Sequence, residues 1–321
     1  MERKLTSFDI ARMAGVSQTS VSLVLRGKWR GRVGEDTAKK ILAVCDKYNY
    51  RVNYAASSLK TGKSRNISLV VPDSENPFFS HILHSLRVRS IPKGYECMLV
   101  ETANSKTWYD YIEGSLLGGE TAYAVSLYND LIEVSPAIAG SVITVNDVPG
   151  SGSSIVIDFR WATGEAVKLF REKGYDSIIY LHSIKDSPES VRVKVFNEEC
   201  EKYGIKHSEL LITGHIENNV ENLLLNIKST FSTRQALLLG DDLYAKGTYF
   251  FAQRSGLGIG KDLGIISLNN TYICDCFTPR LTSFGFNAEN LVSAIMEMIE
   301  NGETETKTVM LQTHSNGNTS F

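Results

Sequence analysis

Along the first fifty residues, apolar positions recur at helical rather than strand spacing. Ile10, Ala11 and Ala14 share one face of a helix predicted over residues 8–14, with Ser7 as its cap. Gly15-Val16-Ser17 interrupts the pattern, and Ser17 can cap a second helix over 18–25 that turns Val21, Val24 and Leu25 inward and Gln18, Thr19, Ser22 and Leu23 outward. After a Gly- and Arg-rich loop, Ala38, Ile41, Leu42, Cys45 and Tyr48 fall at helical spacing over 35–48. Residues 53–62 carry a further helical pattern, too short to be stable alone, so it reads as a linker or as an element that folds against a partner. From Asn66 onward the pattern changes to short apolar runs alternating with helix-length amphipathic segments. Strands are predicted over 67–71, 97–100, 123–127, 142–145, 155–157, 178–181, 210–213, 236–239 and 264–268, and helices over 79–91, 162–173, 189–203, 244–255 and 288–300. Repeated strand–helix units of this kind build parallel sheets, and this many strands is more than one sheet comfortably takes. Two doubly wound subdomains with a cleft between them are expected, and the polar stretch 315–320 reads as a loose tail.

Composition changes this picture mainly through charge. The chain of 321 residues has a net charge of -2, which taken alone argues against a nucleic-acid partner. That average conceals an asymmetry: residues 1–65 carry 14 Lys+Arg against 5 Asp+Glu, a net of +9, and the remainder a net of -11. A basic segment joined to an acidic body suits a chain in which one part neutralises phosphates, although a merely solvated basic face is the alternative. The five cysteines (Cys45, Cys97, Cys200, Cys274 and Cys276) are odd in number, and three of them sit in apolar-patterned segments, so a reducing cytoplasm is expected. Neither a signal peptide nor a run of 18 apolar residues is visible, and no membrane association is expected.

Motifs for other chemistry do not hold up. Gly62-Lys63-Ser64 lacks the first glycine of a phosphate-binding loop, because Ser57 stands there and a short helix precedes it. Gly256, Gly258 and Gly260 follow a helix and precede a strand, the reverse of a dinucleotide fingerprint. No G-x-S-x-G elbow occurs, and neither His81 with His84 nor Cys274 with Cys276 brings the four ligands of a structural zinc site. No cofactor and no metal are expected.

The small residues where the first two helices touch, the glycine at the turn and the polar outer face of the second helix make a helix-turn-helix. With "FDIARMAGVSQTSVSLVL", "RVGEDTAKKI", "YRVNYAASSL" and "TGKS" in order, residues 5–64 resemble the LacI family of bacterial transcription regulators, and "VVPDSENPFF", "GEAVKLFREKGYDSI", "GDDLYAKGTYFFAQRSGLGIGKDLGIISLNN" and "PRLTS" carry the resemblance through the body. It implies a head over 1–50, a hinge helix and linker over 51–65, and an effector-binding and dimerisation body over 66–321, built like a periplasmic sugar-binding protein. The family's base-reading positions fall on Gln18, Thr19 and Leu23. Gln suits adenine, Thr either a polar edge or a thymine methyl, and Leu23 replaces the polar residue usual in the family, so it either packs on a thymine methyl or tucks against the head. Ser7, Ser17, Ser22, Lys28, Arg30 and Arg32 are the candidate phosphate contacts. In the hinge the resemblance places Asn53, Ala56 and Leu59 in the minor groove, with Leu59 as the wedge.

In the body the family's ligand positions fall on Glu75, Phe78, Phe79, Asp158, Arg192, Asp241, Asp242 and Asn269. Many relatives place Asn-Asp where this chain has Asp241-Asp242, and Asp where it has Asn269, so the charge pattern of the pocket is its own. Each position also has a bland reading: Phe78 and Phe79 as core, Asp158 as a helix N-terminal acid, Arg192 as a solvated helix residue. The resemblance implies a cytoplasmic homodimeric repressor of carbohydrate-utilisation genes that binds double-stranded operator DNA and is released or strengthened by a small effector, a sugar or sugar derivative. The alternatives are the same head fused to a doubly wound sugar-processing enzyme, for which neither a phosphate loop nor a positioned base is visible, and a solute-binding protein, against which the basic head counts.

Overall fold

The structure is a computed structural model that describes residues 5–25, 27–50, 64–102, 107–127, 133–146, 152–183, 191–212, 216–302, 308–311, 314–315 and 320. Its chain divides into two compact units, Met1–Lys63 and Ser64–Phe321.

The first unit holds α1 (Ser7–Ala14), α2 (Gln18–Leu25) and α3 (Glu35–Lys47). The cap of α1 is Thr6, one position before the expected Ser7. Thr6 and Asp9 close a capping box, Asp9 N–H donating to Thr6 Oγ1 at 3.3 Å and Thr6 N–H to Asp9 Oδ2 at 2.9 Å. Gly15 ends α1 at φ 66°, a left-handed conformation in which a side chain would be strained, and so sets the tight turn into α2. Ser17 caps α2, its Oγ accepting from Ser20 N–H at 3.1 Å. Ile10, Ala14, Val21, Val24, Ala38, Ile41 and Cys45 form the core, with Trp29, Val33 and Tyr50 packed around it. Two expected core positions do not belong there: Leu42 and Tyr48 are each 44% exposed, because Ala38, Ile41 and Cys45 already fill the inward stripe of α3.

In the second unit β1 (Asn66–Val71), α4 (Pro77–Ser90), β2 (Glu96–Glu101), α5 (Thr107–Leu117), β3 (Tyr123–Ser126), β4 (Val142–Asn146) and β5 (Ser153–Ile157) build the first lobe. The second contains α6 (Phe159–Glu172), β6 (Ser177–Ser183), α7 (Val191–Lys202), β7 (Lys206–Ile212), α8 (Ile216–Ile227), β8 (Gln235–Leu239), α9 (Tyr244–Ser255), β9 (Leu263–Leu268) and β10 (Thr282–Gly285). The chain then returns through α10 (Ala288–Asn301) and β11 (Thr308–Leu311) and ends on β12 (His314–Ser315). One sheet runs β11-β5-β4-β3-β1-β2, all parallel, and the other β12-β10-β9-β8-β6-β7, parallel except for β12. Three connections cross between the lobes, after β5, after β10 and after β11. Each sheet starts at an inner strand, β1 or β6, and grows to either side of it, so each has a switch point there, and ligands of such sheets bind at the carboxyl ends of the strands.

The two-subdomain architecture is as expected. α5, α8, β10, β11 and β12 were not among the predicted elements, and α6 begins at Phe159 rather than Ala162. The expected loose tail is corrected at two positions. Ser315 pairs with Phe284, and Ser320 is fully buried, its hydroxyl donating to Ile265 O at 2.5 Å and accepting from Thr282 N–H at 2.8 Å. All five cysteines are free. Among the described residues no helix is long and apolar enough to cross a membrane.

Candidate functional site

Two surfaces carry the candidate residues. In the first unit α2 exposes Gln18 and Thr19 and holds Ser22 and Leu23 half-buried. Val16, Leu25, Trp29, Val33, Val44 and Tyr50 are the partly buried apolar residues packed on the head core, and Leu23 lies outside that set. Lys28, Arg30 and Arg32 are exposed on the loop that follows α2. The Ser17 hydroxyl is occupied by its capping role and by the Ser20 hydroxyl at 2.9 Å. Ser7 accepts from Gln18 Nε2 at 2.7 Å, a bond that ties the start of α2 to the start of α1. Asn53, Ala56 and Leu59 lie outside the described residues.

The second surface is at the carboxyl ends of the strands, where the lobes meet. Asn-Pro at 76–77 starts α4, the asparagine as cap and the proline at the first helical position, where its missing N–H has no helical partner to lose. Asn76 Oδ1 accepts from Phe78 N–H at 2.9 Å, which turns Nδ2 across the cleft to donate to Asp241 Oδ2, also at 2.9 Å. Asn269 Nδ2 donates to the same oxygen at 3.3 Å, while Leu243 N–H donates to Oδ1 at 2.9 Å. Burial, followed by the neighbouring Asp242 charge, pushes the Asp241 carboxyl up to about 6, against the opposing pull of these donors and of Arg192.

Asp242 faces the other way. It is fully buried, its Oδ1 accepting from Ser267 at 2.5 Å and Ser283 at 3.0 Å, and its Oδ2 from Thr271 N–H at 2.6 Å and Thr271 Oγ1 at 2.7 Å. Four donors use the four lone-pair directions of the carboxylate, so Asp242 ties β8, β9, β10 and the 271 turn together and leaves nothing for a ligand. Asn269 is held at φ 126°, and β10 passes so close that a Cβ on Gly285 would lie 2.4 Å from the Asn269 carbonyl. Only glycine fits beneath it.

An aromatic row crosses the cleft beside Asp241. Phe78 meets Phe286 edge-on at 5.5 Å, Phe286 meets Phe159 at 6.4 Å, and the Arg192 guanidinium lies 3.6 Å over the Phe159 ring. Arg192 is buried to 9% exposure, which removes its reading as a solvated residue, whereas Asp158 is indeed the cap of α6, accepting from Trp161 N–H at 3.1 Å. Phe79 packs edge-on to Phe78 at 5.0 Å, and Glu75 is exposed. A cavity of about 220 Å³ opens here, lined among others by Phe78, His81, Asn269, Tyr272, Phe286 and Asn287. It is smaller than the roughly 300–1,000 Å³ usual for drug-sized ligands, and suits a compact one. Of the eight sequence-named ligand positions, only Phe78 and Asn269 line this cavity. Asn76, Phe159 and Phe286 were missed; Asn-Pro was a readable cap signal, but nothing local announces the other two. Among the described residues no group of three or more His, Cys, Asp or Glu could hold a metal ion.

Residues 8–53 match the family model of bacterial regulatory proteins, lacI family, and residues 167–314 that of the periplasmic binding protein-like domain. The chain is 23% identical over 293 residues to catabolite control protein A of Priestia megaterium, covering 87% of this chain and 86% of that protein. It is 28% identical over 302 residues to the HTH-type transcriptional repressor PurR of Photobacterium profundum, covering 91% and 90%. Its fold is similar to that of the lac repressor dimer crystallised with operator and the anti-inducer ONPF, with a TM-score of 0.78 and 18% identity over 99% of both chains. The helix-turn-helix head thus belongs to the lacI family of bacterial regulatory proteins and is joined to a two-lobed body that matches the periplasmic binding protein-like domain, the build of a ligand-responsive DNA-binding transcription regulator.

Proposed function

We propose that the chain acts in the cytoplasm as a homodimeric repressor of carbohydrate-utilisation genes. Two heads meet the half-sites of a two-fold symmetric operator, Gln18, Thr19 and Leu23 touching base edges, and Ser22, Lys28, Arg30 and Arg32 touching phosphates. Asn53, Ala56 and Leu59 of the 51–65 hinge enter the minor groove. The effector is a small polyhydroxy compound held against Asn269 and the Phe78–Phe286 wall, its hydroxyls meeting the Asn269 amide that also donates to Asp241 and its apolar face on the rings.

The observation that carries this reading is the hydrogen bond from Asn76 to Asp241. It joins the two lobes next to Asn269, which both lines the cavity and donates to Asp241, so a ligand that draws Asn269 away changes how the lobes are held, and a coupling of about 1–3 kcal/mol to DNA binding is the usual size of such an effect. The test is a thermal-shift screen of the full-length protein against sugars and sugar phosphates, followed by DNA titration with each hit. A hit that raises the melting temperature and changes DNA affinity at least fivefold supports the reading. Hits that stabilise the protein without altering DNA affinity contradict it.

A further inference from the structure

The Gln18 amide is held before any DNA arrives. Its Nε2 donates to Ser7 Oγ at 2.7 Å, across the turn between α1 and α2. Ser7 is a firm anchor: it is the first residue of α1, immediately after the Thr6–Asp9 capping box, and is half-buried. Ser7 Oγ is the acceptor in this bond, so an N–H of the amide rather than its carbonyl faces it.

That choice fixes what Gln18 shows to the outside. A primary amide has two N–H donors and one carbonyl; with one N–H given to Ser7, the other N–H and Oε1 remain side by side. This acceptor-beside-donor pair complements adenine, whose major-groove edge offers the N6 amino donor and the N7 acceptor.

We propose that Ser7 is a positioning residue for base reading: it sets the Gln18 amide with its acceptor and one donor outward, and so makes the head demand adenine at the base pair Gln18 meets. The inference rests on α2 being the reading helix. It extends that reading from which residue touches a base to which base is accepted.

The experiment uses the full-length protein. A duplex is selected from a randomised pool, and dissociation constants are measured for it and for its variants with each of the four bases at every position. This is done for wild type, Ser7→Ala, Ser7→Thr, Gln18→Ala and the Ser7→Ala/Gln18→Ala double variant. Melting curves exclude unfolding, since alanine at the first helical position leaves the Thr6 cap in place. Gln18→Ala should reduce an adenine preference on the order of tenfold to within about twofold at one position per half-site. Ser7→Ala should cut that same preference by about three- to tenfold and leave other positions alone, Ser7→Thr should retain it, and the double variant should match Gln18→Ala. A guanine preference at that position, or a Ser7→Ala effect spread equally over all duplexes, overturns the proposal. A preference that falls in Gln18→Ala but survives in Ser7→Ala overturns it while leaving α2 as the reading helix. If Gln18→Ala changes no preference, the assignment of the reading helix falls, and the proposal with it.

Discussion

Replacing Asp241 by Asn tests the electrostatics of the cleft directly. The carboxyl is raised from its ordinary 3.8 to about 6, chiefly by burial and then by Asp242. In the folded chain it therefore takes up a proton more readily than in the unfolded chain. A charged Asp241 burdens the fold fully above about pH 6, and the burden lifts as pH falls toward 4, so this group makes stability rise with acidification across that window. A shift of about two units corresponds to about 3 kcal/mol at pH 8. The asparagine removes that burden but places one N–H₂ opposite the Asn76 and Asn269 donors, losing one or two hydrogen bonds at about 1 kcal/mol each. Asn76 cannot turn over freely, because its carbonyl caps α4. The net expectation is stabilisation by about 1–2 kcal/mol at pH 8, falling to between no change and about 1 kcal/mol of destabilisation near pH 4.5. Urea unfolding of wild type and Asp241→Asn at the two pH values measures the difference. A difference of the same sign and size at both would refute the assignment of the raised carboxyl to Asp241.

Asp242→Ala leaves the buried Ser267 hydroxyl and the Thr271 N–H and hydroxyl without their acceptor, and should lower stability by about 3–5 kcal/mol, read as a fall in the urea midpoint of the body. Gly285→Ala drives a methyl into the Asn269 carbonyl, so it should weaken binding of any effector found by thermal shift by about tenfold or more in calorimetric titration, because Asn269 and Asp241 lose their register. Ile41→Ala empties the centre of a head core with few other members, costing about 2–5 kcal/mol, and should abolish DNA binding while the far larger body keeps its own unfolding transition.

The readable parts of the chain were those where local pattern and tertiary role agree. Helices α1 and α2 carry caps, a turn glycine and one apolar stripe each, and central strands such as β8 and β9 are continuous apolar runs buried on both faces. Missed elements lack such signals. In α5, Trp108, Tyr109, Tyr111 and Gly114 are poor helix formers, and α8 carries Asn218, Asn219, Asn222 and Asn226. Strand β10 has four residues and is recognisable only once β9 lies beside it. The same reasoning applies to the site. Asp241 and Asp242 are adjacent identical residues, and only the positions of Asn76, Ser267, Thr271 and Ser283 decide that one faces the cleft and the other the sheet. Charge along the chain was informative because it sums over a segment and needs no contact geometry.

The central claim is that a basic head reads DNA under the control of an acidic sensing body. Its most direct test is the affinity of the full-length protein for its selected duplex, measured by fluorescence anisotropy from 50 to 300 mM salt and repeated with a chain lacking residues 1–63. The account predicts that log affinity falls steeply and linearly with log salt, with a slope of several units from phosphate contacts, and that binding vanishes with the head. A slope near zero, or undiminished binding by the headless chain, would contradict it.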